Sequence, residues 1–292
     1  MNAQKMIALA MQSSIVIIVF GFGLRATLDD TLYIWRHPWR LARSFVAMFF
    51  VMPFVAVLLD KTFDFHHEIK IALLALALSP VPPLLLKKSG KAGGQSSYAS
   101  GLLVTMATLS IVVLPAGIRL LELVYDRSFA LPPIAVVAVI LKSIILPLAA
   151  GIGVRMLLPN AAARFAGLIV MIGNLLVLVV ALLIVGSRRD AIFALIGDGT
   201  FLAIAVFVVA GLVAGHWLGG PDPQERVVLG LSTASRHPGV ALTLATFNFP
   251  NEHGVAAAIM LYLLVNIMVS MPYVLWQRRR LVATSRSHDP SG

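Results

Sequence analysis

Ser79-Pro80-Val81-Pro82-Pro83 interrupts one apolar run of this chain, and Ser232-Thr233-Ala234-Ser235-Arg236-His237-Pro238-Gly239 interrupts another. Proline has no N–H and disfavours helix in the residue before it, so each stretch reads as a break in a helix. Lipid cannot satisfy the backbone groups that a break sets free, and interrupted spans persist only where protein or a watery cavity surrounds them. Pro82 and Pro238 are 156 residues apart (238 − 82), and the same offset takes Ser97, which opens the run after the first break, to His253, which opens the run after the second. Matched interruptions at a fixed offset point to an internal repeat.

Working outward, the 292 residues are 59% hydrophobic and 12% charged, with a mean hydropathy of +0.91. No water-soluble core hides that much apolar surface, so lipid is the solvent for most of the chain. Crossing about 30 Å of hydrocarbon takes roughly 20 helical residues, and the pattern predicts about nine such spans, at 5–24, 43–60, 69–88, 97–123, 131–157, 164–187, 191–218, 224–249 and 254–277. The expectation is a single all-α polytopic membrane domain over 1–292. A first repeat covers about 5–123, an extra helix about 131–157, a second repeat about 164–280, and a polar tail 281–292. An odd number of spans separates each matched pair, so the repeats are inverted, as in many secondary transporters with a midplane site where broken helices meet.

The net charge of +10 comes from Lys and Arg at segment ends, not on one face, which argues against nucleic acid as a partner. Loops holding Arg25, Arg36, Arg40, Arg43, Arg155, Arg226 and Arg278 to Arg280 alternate with loops of acidic or mixed charge. The positive-inside rule places the N-terminus outside and the C-terminus in the cytoplasm of a cell inner membrane. Met6 to Leu24 reads as a retained helix and not a cleaved signal. With no cysteine, thiolate metal sites and disulfides are excluded. There is no P-loop, no H-E-x-x-H and no serine-nucleophile elbow, so no enzyme is expected. The glycines read as scattered, without a helix-packing array.

The sequence resembles the bile acid:sodium symporter family along nearly its whole length. The matching stretches are Pro82-Pro83, then Lys87-Lys88, then Leu102 to Ser110 with Pro115 beyond, and Ser232 to Ala245. The resemblance implies two inverted repeats, a panel and a core domain, two unwound helices crossing in the core, and sodium-coupled transport of organic anions. It departs at the sodium sites. Where the family usually places a Ser-Asn pair, an ungapped match gives Lys87 and Lys88, and where it usually has Glu and then Gln-Asn, this chain has Ser232 and Arg236-His237. Thr105 matches a hydroxyl ligand, and another ligand position falls on Gly101 or, with a shift of one, Ser100. A carboxylate is lost and cations are added, which argues against a sodium-driven cycle. No cofactor or metal is expected, with sodium as the alternative.

The residues then divide by role. Arg236 costs roughly 2.5–3.5 kcal/mol at a helix centre and needs a partner. An anionic substrate, the carbonyls exposed at the break and Asp198 are the alternatives. His237 is either a satisfied core histidine or a proton-coupling group. Lys87 and Lys88 either anchor a helix end by snorkelling or reach the crossing. Lys142 either pairs with a carboxylate or packs between helices. Pro82, Pro83, Ser232, Ser235 and Thr105 complete the substrate-site candidates, and Asp198, Thr105, Thr108 and Ser100 are candidates for ion coupling. Serine and threonine in membrane helices also bond their own backbone. Asn174 and Asn266 read most simply as interhelical hydrogen bonds. The expected function is secondary transport of a small organic anion by alternating access. A proton-coupled or uncoupled exporter and a non-transporting membrane sensor are the alternatives.

Overall fold

In the computed structural model, the described residues are 3–64, 66–126, 137–138, 140–195, 199–249, 252 and 254–287. They form helices and loops, with no strand among them. In chain order the helices are α1 (Ala3–Gly23), α2 (Leu28–Leu32), α3 (Pro38–Val46), α4 (Met52–Thr62), α5 (His67–Leu78), α6 (Leu85–Lys91) and α7 (Ser96–Tyr125). There follow α8 (Leu146–Leu157), α9 (Pro159–Ala194), α10 (Thr200–Leu218), α11 (Pro223–Ala234), α12 (Pro238–Asn248) and α13 (Val255–Ser287). A π-helical turn, Ala47–Val51, fuses α3 to α4, and a second, Leu141–Ile145, leads into α8. Each π turn is followed by a proline, Pro53 or Pro147, whose missing N–H cannot close the ordinary ladder.

Among the described residues, five helices are long and apolar enough to cross a membrane: Pro38–Thr62, Ser96–Tyr125, Pro159–Val180, Thr200–Leu218 and Val255–Arg280. The predicted count of about nine also included the interrupted segments, which are different in kind. α5 and α11 have 12 residues each, and α-helix rises 1.5 Å per residue, so each covers about 18 Å of a roughly 30 Å core. Each stops part-way across. Ser79, before Pro80, is extended at φ −72° and ψ 149°, and His237, before Pro238, is extended at φ −77° and ψ 105°, as a residue preceding proline must be.

The two interrupted helices cross. α5 packs on α12, and α6 on α11. At the crossing the His237 N–H donates to the Pro80 carbonyl at 2.9 Å, joining the two breaks directly. The order of elements around each break also matches: each broken pair is followed by a long helix with an internal proline, Pro115 in α7 and Pro272 in α13.

Apolar side chains divide the bundle into two bodies. One large buried cluster runs from Ile34 to Val274 and holds α3 to α7 and α10 to α13 together. α1, α8 and α9 pack on one another through small separate clusters, Val19 with Leu148 and Ile152, and Leu24 with Ala162 and Ala166. Contact between these bodies leaves a cleft.

Close helix approach rests on glycine, which the sequence analysis read as scattered. That reading missed Gly211-Leu212-Val213-Ala214-Gly215, a small-residue face one turn apart on α10 that lies against α11. A Cβ on Gly215 would stand 2.4 Å from the Leu229 carbonyl oxygen, and one on Gly211 would stand 2.7 Å from the Ala234 Cα. These neighbours are backbone and cannot swing aside. Gly215→Ala is therefore expected to cost on the order of 1–3 kcal/mol, seen as a lower melting temperature in detergent. Gly153→Ala meets nothing within 4 Å and should leave that temperature unchanged or slightly raised.

Candidate functional site

Every backbone group freed at the breaks has to find a partner inside the protein. The Ala234 carbonyl, at the end of α11, accepts from the Tyr262 hydroxyl at 2.8 Å and from Asn266 Nδ2 at 2.7 Å, both on α13. The Ser79 carbonyl accepts from Arg236 Nη1 at 3.1 Å. Arg236 Nη2 donates at 2.9 Å to the carbonyl of Met48, in the π turn that Pro53 follows. In a five-residue register the Met48 carbonyl would face the nitrogen of Pro53, which has no hydrogen to give. One guanidinium thus ties the second break to the first and to the neighbouring helix. His237 caps α12, accepting the Val240 N–H on Nδ1 at 3.3 Å.

Of the three alternatives for Arg236, two of its donors go to carbonyls. The side chain is fully buried, and its Nε has no hydrogen-bond partner. Asp198 lies outside the described residues. His237 is also buried, and its Nε2 is without a partner. With Nδ1 accepting, the hydrogen of the neutral ring sits on Nε2.

Beside the crossing lies a cavity of about 460 Å³ between the two bodies. Ile15 and Ile18 of α1 and Asn174 and Val177 of α9 form one wall. The facing wall carries Pro82, Pro83, Lys87, Lys88, Ser235, Arg236 and His237, and the floor is apolar side chains of α13 around Asn266. The structure therefore brings together seven residues that the sequence analysis nominated, from two segments some 150 positions apart. Lys88 turns inward. Its Nζ donates to Asn266 Oδ1 at 2.7 Å and reaches Ser235 Oγ at 3.5 Å. Lys87 and Lys91 sit at the mouth, more exposed. No described Asp or Glu lines the cavity, whose walls carry three lysines, Lys87, Lys88 and Lys91, and Arg236.

The remaining nominees lie elsewhere. Ser232 Oγ bonds the Val228 carbonyl one turn back, and Thr108, exposed, bonds the Val104 carbonyl. Thr105 and Ser100 are buried on α7 away from the cavity wall, Thr105 with its hydroxyl unpartnered. Lys142 is exposed at a separate, almost wholly apolar groove between α1 and α8. Among the described residues no group of three His, Cys, Asp or Glu side chains is placed to hold a metal ion. Tyr262 and the Lys88 partnership of Asn266 were not anticipated. Asn266 stood out as a lone amide, but nothing local connects it to a lysine 178 positions away.

The sequence profile described as the Sodium Bile acid symporter family matches residues 13–195. The chain belongs to that family. Similar proteins include the uncharacterized sodium-dependent transporter YocS of Bacillus subtilis (strain 168), 23% identical over 247 residues that cover 83% of this chain and 75% of that one. The sodium-dependent organic anion transporter of Rattus norvegicus is 24% identical over 287 residues, covering 93% of this chain and 75% of its own, and that of Mus musculus is 23% identical over 294 residues with the same coverage. Membership, together with its apolar helices, makes this chain a multi-pass secondary transporter of the sodium bile acid symporter family.

Removing the guanidinium leaves the Ser79 and Met48 carbonyls without their donor, at on the order of 1–3 kcal/mol for each. Arg236→Gln is expected to lower the melting temperature measurably even with no substrate present. Arg236→Lys, which keeps the charge and one donor, should fall between that variant and the parent.

Proposed function

We propose that this transporter carries small amphipathic organic anions, such as monocarboxylates or sulfonates, by alternating access between its two helical bodies. The observation that carries this reading is the cavity at the crossing, with four cations on its walls and no carboxylate among its described residues. Uncompensated positive charge in a low-dielectric cleft favours an anion strongly, since a unit pair 4 Å apart gains about 4 kcal/mol at an effective dielectric of 20, less the desolvation cost. The anionic head sits against Lys88, with Lys87 drawing it in and Arg236 supplying field from beneath. Its apolar body lies on Ile15, Ile18 and Val177 across the cleft. A volume of about 460 Å³ suits a small or medium organic molecule. The names of the two rodent relatives point to the same substrate class.

Sodium does not drive the proposed cycle. A hard cation seeks several oxygen ligands and usually a carboxylate, whereas the Ser79 and Met48 carbonyls accept from Arg236, the Pro80 carbonyl from His237 and the Ala234 carbonyl from Tyr262 and Asn266. The names of all three relatives favour the opposite reading, so the test separates the two. In the membrane, the arginine-rich loop ends and Arg278 to Arg280 face the cytoplasm and the N-terminus lies outside.

Purified protein in liposomes is expected to take up labelled benzoate or octanoate with no sodium on either side, and a sodium gradient should add nothing. A parallel arm with a pH gradient tells proton coupling from uncoupled flux. Lys88→Gln should reduce uptake on the order of tenfold or more. Uptake that appears only with a sodium gradient would overturn the coupling, and uptake unchanged by Lys88→Gln would overturn the site. A panel anion that raises the melting temperature with no flux would make the protein a sensor.

A further inference from the structure

Lys88 meets an amide where a buried lysine is ordinarily met by an acid. Asn266 is itself buried, and its two ends face opposite demands. The Ala234 carbonyl only accepts, so the amide nitrogen must face it, at 2.7 Å. The Lys88 ammonium only donates, so the amide oxygen must face it, also at 2.7 Å. These partners fix the orientation of the amide without reference to hydrogen positions. They also restrict the side chain: an ionised carboxylate would satisfy Lys88 but present a lone pair to the Ala234 carbonyl.

We propose that Asn266 is the specificity-determining residue of the site: its neutral amide holds the Lys88 ammonium at the cavity wall without neutralising it, which reserves that charge for an anionic substrate. The inference rests on the anion-transport reading above and names what in the fold sets the sign of the charge selected. Asn266 grips the ammonium and fixes its place with one hydrogen bond, while the same side chain closes the end of α11. Among the described residues, every charged or titratable neighbour at this cavity leaves the ammonium unneutralised. Lys87 and Lys91 on its own helix and Arg236 at the second break are cations. His237 is committed as a cap through Nδ1. Tyr262 spends its hydroxyl hydrogen on Ala234. Among the described residues, α1 and α9 contribute Ile15, Ile18, Val177 and Asn174. Glu225, on α11, is paired with Arg40 at 2.7 Å.

The test compares Asn266→Asp with Asn266→Ser, using the rise in melting temperature that benzoate and hexanesulfonate produce, with uncharged benzamide as control. Serine loses both hydrogen bonds and adds no charge. Aspartate keeps the contact with Lys88 and supplies an internal counter-ion. If the amide is only a structural bridge, serine is the more damaging change. If its neutrality sets selectivity, aspartate is the more damaging, weakening both anions about tenfold or more while serine weakens them less. Ser235→Asp provides the second variant, bringing a carboxylate to Lys88 from the other side without touching the Ala234 carbonyl. It should weaken the binding of both anions in the same way. Anion shifts that survive in both aspartate variants, or that fall further in the serine variant, would overturn the proposal while leaving anion transport standing. A parent protein stabilised by neither anion would instead overturn the transport reading, and this inference with it.

Discussion

A helix interrupted inside a bilayer leaves carbonyls and N–H groups that lipid cannot satisfy, and in this protein a single guanidinium meets the hardest part of that demand. Arg236 bridges the Ser79 carbonyl at one break and the Met48 carbonyl in a neighbouring π turn, from its own position in the other break. Three segments far apart in sequence are fixed around one buried charge. His237 adds a backbone bond to Pro80, and Tyr262 with Asn266 closes the Ala234 carbonyl. These polar contacts join the two breaks to each other and to their neighbouring helices.

The same accounting gives the cavity its character. Burying a cation at the crossing to hold carbonyls leaves its charge uncompensated by any acid among the described residues, and Lys88, held by an amide, adds a second such charge at the same cavity. Structural need and chemical selectivity are thus supplied by one set of residues. The division into two bodies completes the picture: nearly all polarity is on the side of the crossing, while α1 and α9 contribute an almost wholly apolar wall. In the proposed cycle one body slides past the other, and the hydrogen bonds that hold the breaks together all lie within a single body.

Much of this was legible in the sequence because proline chemistry is local. Pro80, Pro82, Pro83 and Pro238 announce the breaks on their own, and the constant offset between them announces the repeat. Whether Lys88 anchors a helix end or reaches the crossing stayed open in the sequence, and its bond to Ser235 Oγ is a contact that depends on the fold. What was not legible depends on side chains that reach across the fold. The Met48 carbonyl is invisible as a ligand because it is backbone, freed by a π turn that only Pro53 hints at. Asn266 looked like an ordinary interhelical amide, since its lysine lies on a helix far away in the chain. The Gly211 and Gly215 face was present in the letters and was overlooked among the many other glycines. Thr108 and Ser232 had the right chemistry but spend their hydroxyls one turn back on their own helices.

The central claim is that the crossing carries net positive charge facing a cleft that solutes enter. The chain has no cysteine, so Ser235→Cys introduces a single thiol beside Lys88 and Arg236. The decisive measurement is the rate at which that thiol reacts with methanethiosulfonate reagents of similar size and opposite charge, one a sulfonate and the other a quaternary ammonium. The account predicts that the sulfonate reagent reacts on the order of tenfold faster and that benzoate slows it. Equal rates, or faster reaction with the ammonium reagent, would contradict it.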